Sequence, residues 1–317
     1  MKCITPRVFL SACFVIFLAA PLCLADGPIP TLTNIPYGDN VRQVLDVYKA
    51  ESSEPTPFVF YIHGGGWVNG DKATVNRLDK NKKTFAQRCV DAKLSVVAIN
   101  YRYNTQAMEA GIKPPVKWPL EDAARALQFT RSKAQEWNLD PKRVGASGGS
   151  AGAASSLWLA FHDDMADPAS SDPIARESTR LTCAGVMGAQ TCFDPKLMRE
   201  WIPNTKYGGH AYGFVTEKGR DTAFDQFYAA RDEVMPWIKQ YSPYHWVSAD
   251  DPPVFLEYAR APGVGDDKDP THSAVFGVKL LEKIKEVGGE GYISYPDGPL
   301  NPWPDAVSFL IAKLTGK

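Results

Sequence analysis

The sequence has almost no net charge. Across 317 residues, 35 Lys and Arg stand against 36 Asp and Glu, leaving −1. Such a chain offers no basic field to a nucleic acid and no polybasic patch to a membrane surface. Beyond the N-terminus no apolar run is long enough to span a bilayer. Cysteine is sparse. Cys3, Cys13 and Cys23 lie in the first segment, and Cys89, Cys183 and Cys192 remain, an odd number without metal-ligand spacing. That excludes a disulfide framework. A single Cys183–Cys192 bridge competes with three buried thiols acting as small apolar residues, and the second reading is preferred. Histidine is scarce as well: five in all, none after His272. No metal or organic cofactor is implied. What remains, 44% hydrophobic and 22% charged, is the composition of a globular protein.

The N-terminus has the three parts of a signal peptide. Lys2 and Arg7 supply a positive start, Val8–Ala20 an apolar stretch, and Cys23-Leu24-Ala25 small residues before a cut. The expected signal is 1–25, with a mature chain starting near Asp26 that is secreted or periplasmic. An uncleaved anchor is the alternative, although the apolar run is short for a bilayer. Lipidation at Cys23 is another, opposed by bulky Leu22.

Residues 26–317 read as one domain. Phe58–Ile62 and Leu94–Ile99 are continuous apolar strands, as in a sheet covered on both faces. Further strands are expected at Val44–Tyr48, Arg143–Ser147, Leu181–Ala189, Pro253–Tyr258 and Tyr292–Tyr295. Helical patterns occupy Thr74–Ala92, Trp118–Trp137, Ala151–Ala160, a stretch opened by Asp269-Pro270 that runs to about Val287, and Asp305–Leu314. Strands alternating with helices imply an α/β fold with a mainly parallel sheet. Phe193–Trp246 breaks the alternation and is rich in aromatics. It reads either as a cap insertion over the active site, about 193–246, or as helical packing plus a surface loop.

The organising stretch is Arg143-Val-Gly-Ala-Ser-Gly-Gly-Ser-Ala-Gly152. Gly148-Gly149-Ser150-Ala151-Gly152 fits G-x-S-x-G, a sharp strand-to-helix turn that projects a serine hydroxyl above the sheet. Gly145–Gly149, centred on Ser147, fits the short pattern too. Taking Ser150 as the tip leaves Arg143–Ser147 as the strand, whereas taking Ser147 leaves almost none.

Four segments extend this pattern: His63-Gly-Gly-Gly-Trp67 with Asn69-Gly-Asp-Lys72, Asn100-Tyr-Arg102, Pro119-Leu-Glu-Asp122, and Asp140-Pro-Lys-Arg-Val144 leading into the elbow. In order and content they resemble the α/β-hydrolases, within them the esterase/lipase group related to hormone-sensitive lipase and to bacterial acetyl-xylan and feruloyl esterases. The likeness is close from Val44 to Ala160 and one of layout beyond. It implies a serine nucleophile at Ser150 and an oxyanion hole formed by backbone N–H groups of Gly65, Gly66 and Ala151. His63 would brace the glycine loop.

The resemblance also implies a histidine after the last strand, and that histidine is missing: Pro296–Lys317 contains none. Among the five, His63 belongs to the glycine loop, His162 to the far end of the elbow helix, and His245 to the opposite edge of the sheet. His272 lies on the loop after Pro253–Tyr258, at the correct edge, in what is expected to be the first turn of a helix. It is the assigned base, with His210 and a non-catalytic His272 as alternatives. Asp267 is the assigned acid, Asp266 and Asp269 stand beside it, and Asp194 is a second candidate. Two functions follow. One is a secreted serine ester hydrolase acting on small-molecule or carbohydrate-linked esters. The other is a hydrolase-like binding protein that has lost its base.

Overall fold

The computed structural model describes residues 27–79, 82–219, 221–263, 265 and 267–316. The expected signal peptide lies outside them, as does Asp266. Eight strands among the described residues form one sheet: β1 (Leu32–Pro36), β2 (Val44–Tyr48), β3 (Thr56–Ile62), β4 (Ser95–Ile99), β5 (Leu139–Gly149), β6 (Cys183–Met187), β7 (Val254–Glu257) and β8 (Gly291–Ser294). Their order is β1-β2-β4-β3-β5-β6-β7-β8. β1 and β2 run antiparallel to their neighbours, and the pairs from β4 through β8 are parallel. Every residue of β3 and β4 is buried, as continuous apolar strands between two helical layers require.

The helices are α1 (Phe85–Asp91), α2 (Asn104–Glu109), α3 (Lys117–Ser132), α4 (Ala134–Trp137), α5 (Ala151–Phe161), α6 (Pro195–Trp201), α7 (Phe224–Ala229), α8 (Arg231–Tyr241), α9 (Ala274–Glu286) and α10 (Ala306–Thr315). One apolar cluster joins α3, α5 and α9 to one face of the sheet, and a second joins α1 and α10 to the other. α5 is buried along its whole length. Only a helix of small and apolar residues can run beneath the sheet's central strands in this way. Cys89, Cys183 and Cys192 are free and buried, and burial pushes each thiol up to about 12.

The departures have local causes. β1 carries no strand signal because LTNIP is an edge segment, largely exposed. The helix expected over Thr74–Ala92 divides into a 3-10 turn at Lys72–Asn76, which Asp71 caps, and α1, which Thr84 caps. α9 starts at Ala274 because the Ser273 hydroxyl, not Asp269, accepts its first free N–H. His272 therefore precedes the helix instead of lying in its first turn.

The motif residues after β3 and β4 tie the loops together. Buried Asp122 accepts hydrogen bonds from Arg102 N (2.9 Å), Arg102 Nε (2.9 Å) and Nη2 (2.5 Å), and from Gln43 Nε2 (2.8 Å). Asn100 Oδ1 accepts from Lys72 N (2.7 Å), its amide donates to Asp71 (2.8 Å), and Lys72 pairs with Asp46 (3.0 Å). Removing one partner of a buried pair strands the other charge. Asp122→Ala is accordingly expected to cost about 3–5 kcal/mol of unfolding free energy in urea denaturation. A loss below about 1 kcal/mol would contradict this account, since that is the scale of a solvated surface pair.

Candidate active site

The elbow forms as the sequence implies. Ser150 follows β5 directly, with φ 54° and ψ −121°, and α5 begins at the next residue. A non-glycine residue reaches such a conformation only where its surroundings dictate it. The neighbouring glycines show how. A Cβ on Gly152 would lie 2.0 Å from the carbonyl oxygen of Ile62, and one on Gly148 would lie 2.3 Å from the same atom. Ser150 N donates to Met187 O (2.9 Å), fastening the turn to β6. Ser147, the other reading of the pattern, is buried within β5 and donates its hydroxyl to Gly185 O (2.6 Å). It cannot be the tip.

The glycine loop meets the elbow from the end of β3. A Cβ on Gly64 would fall 2.6 Å from Gly149 O and 3.5 Å from Ser150 Cβ. Gly65 and Gly66 have φ 107° and 62°, in the region that favours glycine. Each carbonyl of the run is tied. Gly64 O accepts from His63 Nδ1 (2.7 Å), Gly65 O from Val68 N (3.2 Å) and Asn69 N (3.3 Å), and Gly66 O from His210 Nε2 (2.9 Å). Among the described residues, the N–H groups of Gly65, Gly66 and Ala151 donate to no protein acceptor. Trp67 is buried and donates its indole N–H to Ser155 Oγ (2.9 Å), pinning the loop to α5.

His63 is the buried brace of this loop. It stacks on Tyr101 with ring centroids 4.3 Å apart, and Arg42 approaches its Nε2 at 3.4 Å. Burial holds its pKa down at about 4, against an ordinary 6.5, with the Arg42 guanidinium pressing the same way. It is thus neutral at pH 7 and donates from Nδ1.

His272 reaches the elbow from the loop after β7. Its Nε2 stands 3.0 Å from Ser150 Oγ, and its Nδ1 faces both carboxylate oxygens of Asp269, at 3.1 and 3.2 Å. His272 N donates to Asp269 O (3.1 Å), closing a turn that puts both side chains on one side. The imidazole packs over Gly188, and Gln190 Nε2 holds Thr271 O at 2.6 Å.

The carboxylate at the imidazole is Asp269, not the assigned Asp267. Asp267 is used by the backbone: its carboxylate accepts from Asp269 N (2.9 Å) and Gly263 N (3.3 Å), and its carbonyl accepts from Asn204 Nδ2 (2.8 Å). It shapes the loop that presents Asp269. Asp194 caps α6 and pairs bidentately with Arg231 at 2.6 and 2.7 Å. His210 is committed to Gly66, while His162 and His245 lie away from Ser150 beside Trp158, Trp246 and Tyr244.

A cleft of about 790 Å³ opens beside Ser150 and His272. Its far wall comes from Tyr61, Leu78, Phe85, Arg88 and Val307, on the side of α1 and α10. No described residue of 193–246 lines it. The described residues of that segment form α6, α7, α8 and short 3-10 turns whose aromatics pack into the core cluster shared with α3, α5 and α9. It packs as ordinary helices and does not roof the described cleft.

This arrangement can move a proton from a hydroxyl to an imidazole whose other nitrogen is held by a carboxylate, beside unused N–H groups. Chains of known activity share the framework. The family model described as BD-FAE matches residues 45–264. Acetyl esterase of Salmonella paratyphi A is 22% identical over 265 residues, 79% of this chain and 69% of that protein. Gut esterase 1 of Caenorhabditis elegans is 31% identical over 113 residues, 35% of this chain and only 19% of the relative's length. Among solved structures, a truncated carbohydrate esterase from gut microbiota superposes with a TM-score of 0.64 at 18% identity, covering 89% of this chain and 95% of that one. An acetyl ester-xyloside bifunctional hydrolase from Caldicellulosiruptor lactoaceticus gives 0.60 at 20% identity, covering 85% and 87%. At such identities the superpositions establish the fold.

The state of His63 has a consequence for stability. Its folded pKa of about 4 lies below its unfolded value near 6.5, so between these pH values the unfolded chain binds one more proton there. The folded state is therefore favoured above pH 6.5, and that advantage falls by about 1.4 kcal/mol per pH unit on acidification towards 4. The stability difference between wild type and His63→Gln should shrink at this rate over that window in urea titrations at several pH values. A difference independent of pH would mean that His63 is solvated or charged.

Proposed function

The chain belongs to the BD-FAE family of α/β-hydrolase esterases, and from that premise we propose a serine carboxylic ester hydrolase, exported from the cytoplasm, that acts on carbohydrate-linked acyl esters. Family membership makes it a carboxylic ester hydrolase; the assignment of roles is the proposal. The observation that carries it is the line from Ser150 Oγ through His272 to Asp269, every link within 3.2 Å.

In this mechanism Ser150 Oγ attacks the ester carbonyl as its proton passes to His272 Nε2. Asp269 keeps the ring oriented and stabilises the imidazolium. The negative charge on the former carbonyl oxygen is met by N–H groups of Gly65, Gly66 and Ala151, already fixed in place. Collapse breaks the bond to the alcohol, which leaves with the proton from His272. Water then adds to the acyl-enzyme, gives its proton to His272, and the acid departs as Ser150 regains the proton. The absent C-terminal histidine was the reason to consider a binding protein without turnover. A histidine beside the serine and a carboxylate supports turnover over that reading.

The carbohydrate-linked substrate is supported by the likeness to a carbohydrate esterase and to an acetyl ester-xyloside hydrolase, and by the open cleft. Export rests on the sequence of the first 25 residues. N-terminal sequencing of the protein recovered outside the cytoplasm should read from near Asp26; a start at Met1 would contradict export by cleavage.

A fluorophosphonate probe should label Ser150 in the wild-type protein, located by mass spectrometry. Ser150→Ala and His272→Ala should each lower kcat for an acyl ester by about 10⁴–10⁶. Asp269→Asn should cost about 10²–10⁴, because it leaves the ring without its orienting charge. Asp267→Asn should cost about tenfold or less, since it acts on loop shape alone. Full activity of His272→Ala, or a loss in Asp267→Asn as large as that in Asp269→Asn, would sink this assignment.

A further inference from the structure

The helical segment between β6 and β7 supplies none of the cleft lining, yet it sends one fully buried polar ring to the glycine loop. His210 Nε2 donates to Gly66 O at 2.9 Å across 144 residues of sequence. The ring is held by Tyr207, edge-on at 4.9 Å, and by Trp67 at 6.1 Å. Its other nitrogen faces Asp221 at 3.8 Å. It is neither a base for Ser150 nor a substrate contact.

We propose that His210 is a positioning residue for the oxyanion loop: by holding the Gly66 carbonyl it fixes the Gly66–Trp67 peptide plane, and with Gly65 O held by the local turn this sets both sides of Gly66 and keeps its N–H aimed at the cleft. The inference rests on the esterase reading above and adds a residue to it. The reason lies in the glycines. Gly65 and Gly66 need φ of 107° and 62°, and a Cβ on Gly65 would lie 2.1 Å from Asn69 O, so a larger residue cannot stiffen the loop there. The same freedom lets a glycine peptide rotate and turn a carbonyl towards the substrate oxygen, which would repel the charge that develops. Gly64 O is held by the adjacent His63 and by the Tyr101 hydroxyl at 3.3 Å, and Gly65 O by the local turn. Gly66 O is held from outside the loop, by His210. A donor there makes the carbonyl's orientation cheaper than its reversal.

Two variants of the full chain separate this role from packing. His210→Phe keeps a ring against Trp67 and Tyr207 and removes the donor; His210→Gln keeps a donor and loses the ring. Hydrolysis of a soluble acyl ester is measured at saturating and limiting substrate, normalised to the protein that folds. The expected result for His210→Phe is a kcat about ten- to a hundredfold below wild type, less than the loss of an entire oxyanion donor, with KM within about twofold. His210→Gln should recover most of that kcat even if its melting temperature is the lower of the two. Wild-type kcat in His210→Phe overturns the proposal, and so does an equal kcat loss in both variants, which is the signature of packing. Should His210→Phe fail to fold, His210→Gln decides alone: a kcat within about threefold of wild type supports the role of the donor, and a tenfold loss overturns it. The esterase reading is judged separately, by fluorophosphonate labelling of Ser150 in the wild type. Labelled wild type with an unaffected His210→Phe defeats only the present inference.

Discussion

The backbone of Ser150 is the constraint on which the rest depends. At φ 54° and ψ −121° a residue with a side chain is held outside its ordinary basins, at a cost of order 1–3 kcal/mol. The turn persists because every alternative is closed. β5 is paired on both sides up to its last residues, the carbonyl of Ile62 leaves no room for a Cβ at Gly148 or Gly152, and Met187 O takes the Ser150 N–H. The wholly buried α5 follows immediately and cannot shift without opening the core. Strain at one residue is thus sustained by the packing of the two central strands and the helix beneath them.

The histidine beside that serine enters from the loop after β7. His272 and Asp269 share one loop after β7 and stand three residues apart, joined by the turn that His272 N makes to Asp269 O. When base and acid come from separate loops, two segments must be positioned independently. Here one turn sets their mutual geometry, and one set of anchors sets its distance from Ser150: Gly188 under the ring, Gln190 on Thr271, and Asp267 folding the approach. The two side chains are also partly open to solvent, 40% for His272 and 42% for Asp269, unlike the fully buried His63. The pair is organised by local chain geometry more than by burial.

How much the sequence reveals follows the range of the interactions involved. The strands of the central sheet are legible because continuous apolar runs leave few alternatives, and Ser150 is legible because an elbow needs its glycines within two residues. His272 can be reached by counting, since five histidines permit elimination and the sheet edge selects one. The acid is a different matter. Asp267 and Asp269 are equally near and equally acidic, and what separates them is which one the loop's own N–H groups consume, a property of backbone shape that no spacing displays. The cap reading of 193–246 fails in a similar way. Its aromatics are real, but aromatic content does not distinguish a roof over a pocket from helices packed against the side of a core.

Among the described residues that segment lines none of the cleft, yet it touches two of the loops that do. The cleft beside Ser150 is walled by Leu78, Phe85, Arg88 and Val307, on the side of α1 and α10. The stretch between α6 and α7 touches the loops beside Ser150 through His210 on Gly66 and Asn204 on Asp267. Both contacts hold backbone in place. The cleft is lined by the same glycine loop and by the loop bearing Asp269 and His272, so the backbone that these two contacts hold also shapes the cleft.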